Sequence, residues 1–322
     1  MKEEYRKELP KWIDNKADYD LVLSNDIDSL ASCCLLKAIK GWDIGYYYSF
    51  DSMYVSKTLI DKAKKKEKLN EKCYVDIATL KGKSFDNHCM YVTLAEALDK
   101  QEKTETVNLN NLYFVSKEDY TCKYAGSTLL TIWSIYNYPL PQTEQGKMLL
   151  LAIDSAYEGF YTDFRRTQTN YMNILGYDEL LEVIDRHDIS DFEKITNDLG
   201  LNNNFRVEMY NDKKGKIKTT LNLKRISDLL GFDIVLPNDI YYIARQYDVI
   251  EKKIEWEKRH KYYSIDSFDT DIFSFALTYH DSARYSVDLY ARDKKQKAKA
   301  KEEEENKKDP LYFLKKASKK IT

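Results

Sequence analysis

Short apolar runs that each end in acidic side chains recur along this 322-residue chain, and that pattern limits the folds open to it. Leu21-Val22-Leu23 leads into Ser24-Asn25-Asp26-Ile27-Asp28-Ser29, where two aspartates stand two apart as a helical pattern begins. Val75-Asp76-Ile77-Ala78, Phe85-Asp86-Asn87-His88 and Leu149-Leu150-Leu151-Ala152-Ile153-Asp154 repeat the theme. Side chains alternate faces along a strand, and ligands of open α/β sheets collect beyond the carboxyl ends of the strands. The pattern predicts an α/β fold, with a mostly parallel sheet flanked by helices and carboxylates gathered at one rim. Such carboxylates are oxygen donors suited to hard divalent cations.

Composition narrows the function. The chain carries 51 basic and 53 acidic residues, a net charge of −2, so it does not coat nucleic acid with its whole surface. Contact with nucleic acid has to be a local patch or a short oligomer. No apolar stretch approaches the ~20 residues of a membrane span, so no membrane is expected as a partner. The start, Met1-Lys2-Glu3-Glu4-Tyr5-Arg6-Lys7, is charged with no apolar core behind it, which predicts no secretion signal. Five cysteines, an odd number without CxxC spacing, read as reduced, mostly buried thiols of a cytoplasmic protein. Abundant tyrosine, 27 residues, together with lysine and asparagine, suggests an AT-rich genome such as that of a low-GC bacterium or its phage.

The order of elements predicts strands at Tyr19–Leu23, Ile44–Phe50 and Cys73–Ile77, with a helix from Ser29 to Ile39 between the first two. Met53–Lys68 reads as a lysine-rich helix, Tyr113–Val115 as a strand and Ser127–Tyr136 as a buried helix. The fully apolar Met148–Ile153 reads as a central parallel strand ending at Asp154. Tyr177–Arg186 and Asp191–Leu199 read as helices, and Phe205–Tyr210 with Ile217–Leu223 as a hairpin. Asp239–Tyr263 is expected to be a long helix, its stripe Ile240, Ile243, Tyr247, Ile250 and Ile254 serving as core or as a homodimer seam. Ile272–Thr278 and Arg284–Tyr290 close the set as a strand pair. These readings divide the chain into a metal-binding domain (1–176), a helical connector (177–204), a smaller α+β substrate-binding domain (205–291) and a charged tail (292–322). The tail ends in Pro310-Leu311-Tyr312-Phe313-Leu314-Lys315-Lys316, an apolar plug that either docks a protein partner or folds back onto its own body.

The ordered set resembles the DHH phosphoesterase superfamily, which includes RecJ-like exonucleases, nanoRNases, cyclic-dinucleotide phosphodiesterases and family II pyrophosphatases. Asn25-Asp26-Ile27-Asp28-Ser29 is similar to its first motif and Asp76 to its second. Asp86-Asn87-His88 stands where Asp-His-His would be, and Asp154-Ser155 is similar to the fourth motif. The resemblance covers roughly residues 18–200. It implies that Asp26, Asp28, Asp76 and Asp154 hold two Mn²⁺ or Mg²⁺ ions, with Asp76 bridging and His88 on a metal or on the scissile phosphate. Asp86 and Asn87 would ligate or support. The implied activity is hydrolysis of phosphodiesters in short oligonucleotides, single-stranded nucleic acid or cyclic dinucleotides. Two positions depart from the family. Val22 stands where many relatives have a metal-binding histidine, and Asn87 replaces the triplet's first histidine. These departures leave open a catalytically degenerate RecJ-like binding or scaffold protein.

At the recognition end no glycine-rich loop is present. Tyr279-His280-Asp281-Ser282-Ala283-Arg284 is the nearest substitute, offering His280 and Arg284 to substrate, or it is an ordinary polar turn. Arg165 and Arg166 could grip phosphates bidentately or sit on the surface. Lys64, Lys65, Lys66 and Lys68 form a solvated face or a backbone-tracking patch for single strands. A haloacid-dehalogenase-like phosphatase would use Asp26 and Asp28 as well, but its downstream lysine and second acidic pair have no clear home here.

Overall fold

Strand β1 (Tyr19–Leu23) is buried along its whole length, and its side chains divide between two cores. Leu21 and Leu23 join the main core, while Val22 points to the other face, among Tyr46, Tyr48 and Met53. The computed structural model describes residues 1–100, 105–211, 213–254, 263–295 and 297–298. The short helix α1 (Glu3–Arg6) precedes β1, and α2 (Ile27–Lys40) follows it. Helix α2 opens on an N-cap, Asp26, whose carboxylate accepts the Ser29 N–H at 3.0 Å. It closes at Gly41, where φ is +77°, a conformation glycine adopts without strain.

Next come β2 (Asp43–Tyr48), β3 (Ser52–Ser56), α3 (Lys57–Lys64), β4 (Glu71–Val75) and β5 (Lys83–Phe85). Helix α4 (Leu94–Lys100), β6 (Thr106–Val107) and the single turn α5 (Leu109–Leu112) lead to the buried α6 (Thr128–Ile135). Four helices complete this region: α7 (Glu144–Ala152), α8 (Arg165–Leu175), α9 (Asp178–Arg186) and α10 (Ile189–Leu199). Beyond them stand β7 (Arg206–Asn211), β8 (Lys214–Lys218), α11 (Leu223–Leu230), β9 (Tyr241–Lys253), β10 (Ile272–Tyr279) and β11 (Ser282–Asp288).

The expected α/β class holds. The strands run in the order β10-β11-β9-β3-β2-β1-β4-β5-β6. From β2 to β6 all pairings are parallel, and from β3 outward through β9, β11 and β10 they are antiparallel. β1 has β2 on one side and β4 on the other, so the chain reverses its winding direction beside β1. A crevice opens at such a switch point, beyond the carboxyl ends of the strands. Among the described residues no helix is long and apolar enough to cross a membrane. Cys33, Cys34, Cys73 and Cys89 are buried free thiols, and Cys122 is an exposed one.

Four expected elements are corrected. Met148–Ile153 lies in helix α7 and the turn after it, packed against α10 and α11, because a short all-apolar run suits a buried helix as well as a central strand. Within the stretch expected as a helix over Asp239–Tyr263, of which residues 255–262 lie outside the described residues, Tyr241–Lys253 forms β9. Its apolar stripe therefore splits between strand faces, and the helical dimer seam disappears with it. The aromatic and β-branched content of Tyr241, Tyr242, Ile243, Val249 and Ile250 prevails over the helical spacing. Tyr113–Val115 is the turn leaving α5, with Phe114 at φ +56°. Met53–Lys68 begins as β3, and only Lys57–Lys64 is helical. Residues 310–322 and most of the charged tail lie outside the described residues.

Candidate functional site

Each acidic segment leaves the carboxyl end of a strand or helix at the same rim. Asp76 follows β4 with φ at +57°, in the left-handed region that non-glycine residues seldom occupy. Its N–H is held by the Phe85 carbonyl at 2.8 Å, which fixes the turn. Asp86 follows β5, and its buried carboxylate accepts from His88 Nδ1 at 2.7 Å and from Asn108 Nδ2 at 3.0 Å. Ligand atoms of Asp76, Asp86 and His88 lie within 4.8 Å of one another, a spacing that fits one divalent cation.

Asp28 belongs to the same cluster but is already engaged. It is 3% exposed, and its two oxygens accept the N–H groups of Thr128 and Leu129, each at 2.8 Å. It thereby fastens α2 to the N-terminus of α6, whose partial positive charge favours an anion there. Thr128 also donates from its hydroxyl to Asp76 at 2.9 Å. Asp154 follows helix α7 rather than a strand. Asp154 and Ser155 are consecutive left-handed residues, at φ +55° and +51°. Two such residues in a row store strain that the surroundings have to offset, a condition common at functional sites. Asp154 stays exposed and accepts from Asn87 Nδ2 at 2.6 Å, while the same Asn87 nitrogen donates to Gly126 O at 2.8 Å.

Packing like charges together has electrostatic consequences. Burial, reinforced by the charges of Asp26, Asp28, Asp154 and Asp86, holds the Asp76 carboxyl well above the usual carboxylate range. Burial, with Asp154 and Asp26, does the same to Asp28. Burial raises Asp26 too, partly offset by the Ser29 N–H and by His88. Asp154 is exposed as a residue, but protein atoms crowd its carboxylate, and that desolvation together with Asp26 pushes it up to about 6 against the pull of His88, Asn87 and Lys123. Burial alone would lower His88, but Asp86, Asp154 and Asp26 outweigh it and raise the imidazole to about 9. A cation placed among these groups relieves the repulsion they share, so the donor set fits a divalent ion.

The rim faces a cleft of about 130 Å³ lined on one side by Ser24, Asp26, Asp76 and His88. The opposite wall comes from β10 and β11, with Ser274, Phe275, Arg284 and Tyr285. The Arg284 guanidinium lies 4.3 Å from the centre of the Phe50 ring, and its Nε, without a hydrogen bond, is in an ion pair with Glu251 at 3.6 Å. Of the residues singled out as phosphate-binding candidates, Arg284 lines the cleft. Arg165, Arg166 and His280 do not. Arg165 pairs with Asp185, Arg166 is exposed on α8, and His280 is exposed at the β10–β11 turn. None of the three lines the cleft.

Several residues of the site escaped the sequence reading. Asn108 braces both Asp86 and the His88 carbonyl, and Asn110 donates to the Asn87 carbonyl at 2.6 Å. The asparagine-rich run Asn108-Leu109-Asn110-Asn111 was the available signal. Ser29 accepts the Ser24 N–H and donates to the Val75 carbonyl, each at 2.7 Å, locking β1 to β4 beneath the carboxylates. Lys123, which attracts Asp154, left no signal that spacing could reveal. Set against known proteins, the chain matches no family model, no curated protein and no solved structure.

Proposed function

We propose that this chain is a divalent-metal-dependent phosphodiesterase of the DHH kind, acting on short oligonucleotides, single-stranded nucleic acid or cyclic dinucleotides. The observation that carries the reading is the convergence of Asp76, Asp86 and His88 within 4.8 Å beside a cleft, with Asp26, Asp28 and Asp154 electrostatically joined to them. Asp26, Asp76, Asp86 and His88 would hold Mn²⁺ or Mg²⁺, with Asp154 completing the donor set. Such an ion supplies Lewis acidity at a phosphoryl oxygen and acidifies a bound water. Asp86 engages Nδ1 of His88, which leaves Nε2 free to meet the ion or the scissile phosphate. Arg284 offers a fork for phosphate oxygens, and Phe50 a face for stacking. Buried Phe275 and Tyr285 keep part of the cleft wall apolar and restrict water there.

A second reading has its own observation. The Asn87 side chain is committed to the Gly126 carbonyl and to Asp154, as a brace rather than a ligand. On that reading the body binds nucleic acid without cutting it. Turnover of labelled dinucleotides and a short single strand with Mn²⁺ separates the two. The enzyme reading expects release of nucleoside monophosphate that falls about 100-fold or more in Asp76→Asn. The binding reading expects retention of the strand with no turnover under any divalent ion.

A further inference from the structure

The metal rim and its cleft make no use of the β7–β8 hairpin, whose charge differs from that of the chain around it. The whole chain is close to neutral, yet between residues 206 and 218 five cations stand against two acids. Among the described residues β7 pairs only with β8, so it is a free edge of the sheet, and five of its six residues are exposed. The register divides the hairpin into two faces. Val207 and Ile217 are opposite one another and pack on the main core. Their neighbours turn outward, with Arg206 opposite Lys218 and Glu208 opposite Lys216. Like charges directly across an antiparallel pair are destabilising, so Arg206 and Lys218 together favour an anion over this face. Local carboxylates do not supply it. Glu208 reaches Lys218 at 3.6 Å, in a pair whose side chains are both more than half exposed. Lys216 turns aside to the Asn238 side chain at 3.1 Å. Among the described residues Arg206 has no carboxylate partner. Toward the tip, Tyr210 is 53% exposed.

The root of the hairpin ties this surface to the rim. The Phe205 N–H donates to the Asn25 carbonyl at 2.6 Å, and the Tyr47 hydroxyl donates to the Phe205 carbonyl at 2.9 Å. Asn25 stands between Ser24 and Asp26, both of which line the cleft. Arg206 is therefore one residue from the rim, and from Arg206 to Tyr210 the strand extends roughly 13 Å. Exposed cations combined with an exposed aromatic ring suit the phosphates and bases of a single strand.

We propose that the outward face of the β7–β8 hairpin is a docking arm for single-stranded nucleic acid, with Arg206 and Lys218 on phosphates and Tyr210 stacked on a base. The arm rests on the phosphodiesterase reading only for the fate of the strand at the rim, since its hold on the strand needs no metal. Fluorescence anisotropy of a labelled oligothymidylate of about twelve nucleotides, titrated with the full chain in EDTA, tests it. Saturable binding is expected, weakened at least about tenfold when Arg206→Ser and Lys218→Ser are combined. In that double variant the fall of log K with log salt becomes shallower by about 1.4, from two phosphate contacts at about 0.7 each. Tyr210→Ser weakens binding about fivefold and leaves the salt slope unchanged. Glu208→Gln removes an acid from this face and strengthens binding about threefold, a gain that a damaged fold would not produce. Absence of binding in EDTA, binding indifferent to these variants, or displacement of the strand by duplex DNA or polyglutamate as readily as by unlabelled oligothymidylate would overturn the arm. Turnover of a dinucleotide with Mn²⁺ reports on the cleft separately, so either reading can fail while the other stands.

Discussion

At the scale of single residues, the site rests on buried polar atoms that hold carboxylates in place. Ser29 is the clearest, since its hydroxyl serves both the Ser24 N–H and the Val75 carbonyl in a fully buried position. Ser29→Ala strands both groups, and urea unfolding is expected to show a loss of about 2–3 kcal/mol. The carboxylate cluster has a signature in pH. Asp154 is pushed up to about 6 in the folded state from its ordinary 3.8, so the folded state keeps a proton the unfolded chain gives up, and the stability this adds is complete below 3.8 and lost as pH rises through 6. His88, raised to about 9 from 6.5, contributes stability that is complete below 6.5 and lost as pH climbs through 9. Both effects have the same sign. In EDTA the melting temperature is expected to decline steadily from pH 5 to pH 9 by scanning fluorimetry, with the lower part of the slope missing in Asp154→Asn. A flat profile would contradict the electrostatics. The Asp26 and Asp28 pair was legible in the sequence because an apolar strand and a helix start bracket it. Their division of labour was not, since only tertiary packing brings the α6 N-terminus onto Asp28.

Among elements, the sheet links the two walls of the cleft. Strand β3 pairs with both β2 and β9, so the strands carrying Arg284 continue the sheet that carries Asp76. Tyr48 adds a side-chain tie, its hydroxyl meeting Ser274 Oγ at 3.0 Å and Ser286 Oγ at 2.7 Å. Tyr48→Phe leaves the two serines bonded to each other at 2.7 Å, so the expected cost is only about 1 kcal/mol. Chemical denaturation measures it directly, and a cost several times larger would mean that the tie does more than the geometry implies. The elements also show where sequence reading stops. β1 and β4 were readable, as apolar runs bounded by acidic turns. β9 was not, because Ile243, Tyr247, Ile250 and Ile254 fit helical spacing as well as a long strand. Its pairing with β3 and β11 comes from partners remote in sequence. For α7, the run Met148–Ile153 had no polar residue to reveal a period at all.

For the whole molecule, the central claim is that the rim around Asp76 exists to hold a divalent cation at the mouth of a cleft whose far wall recognises phosphate. The cleft, the strained turns at Asp76 and Asp154 and the mutually repelling carboxylates are consistent parts of one device. Isothermal titration of Mn²⁺ into the EDTA-stripped, dialysed full chain tests that claim most directly. The account predicts saturable binding, with stabilisation of about 2.7 kcal/mol when free Mn²⁺ reaches a hundred times the dissociation constant. It also predicts that Asp76→Asn, still folded by circular dichroism, loses the binding heat. No Mn²⁺ binding by the wild-type chain, or binding that Asp76→Asn leaves unchanged, would contradict it.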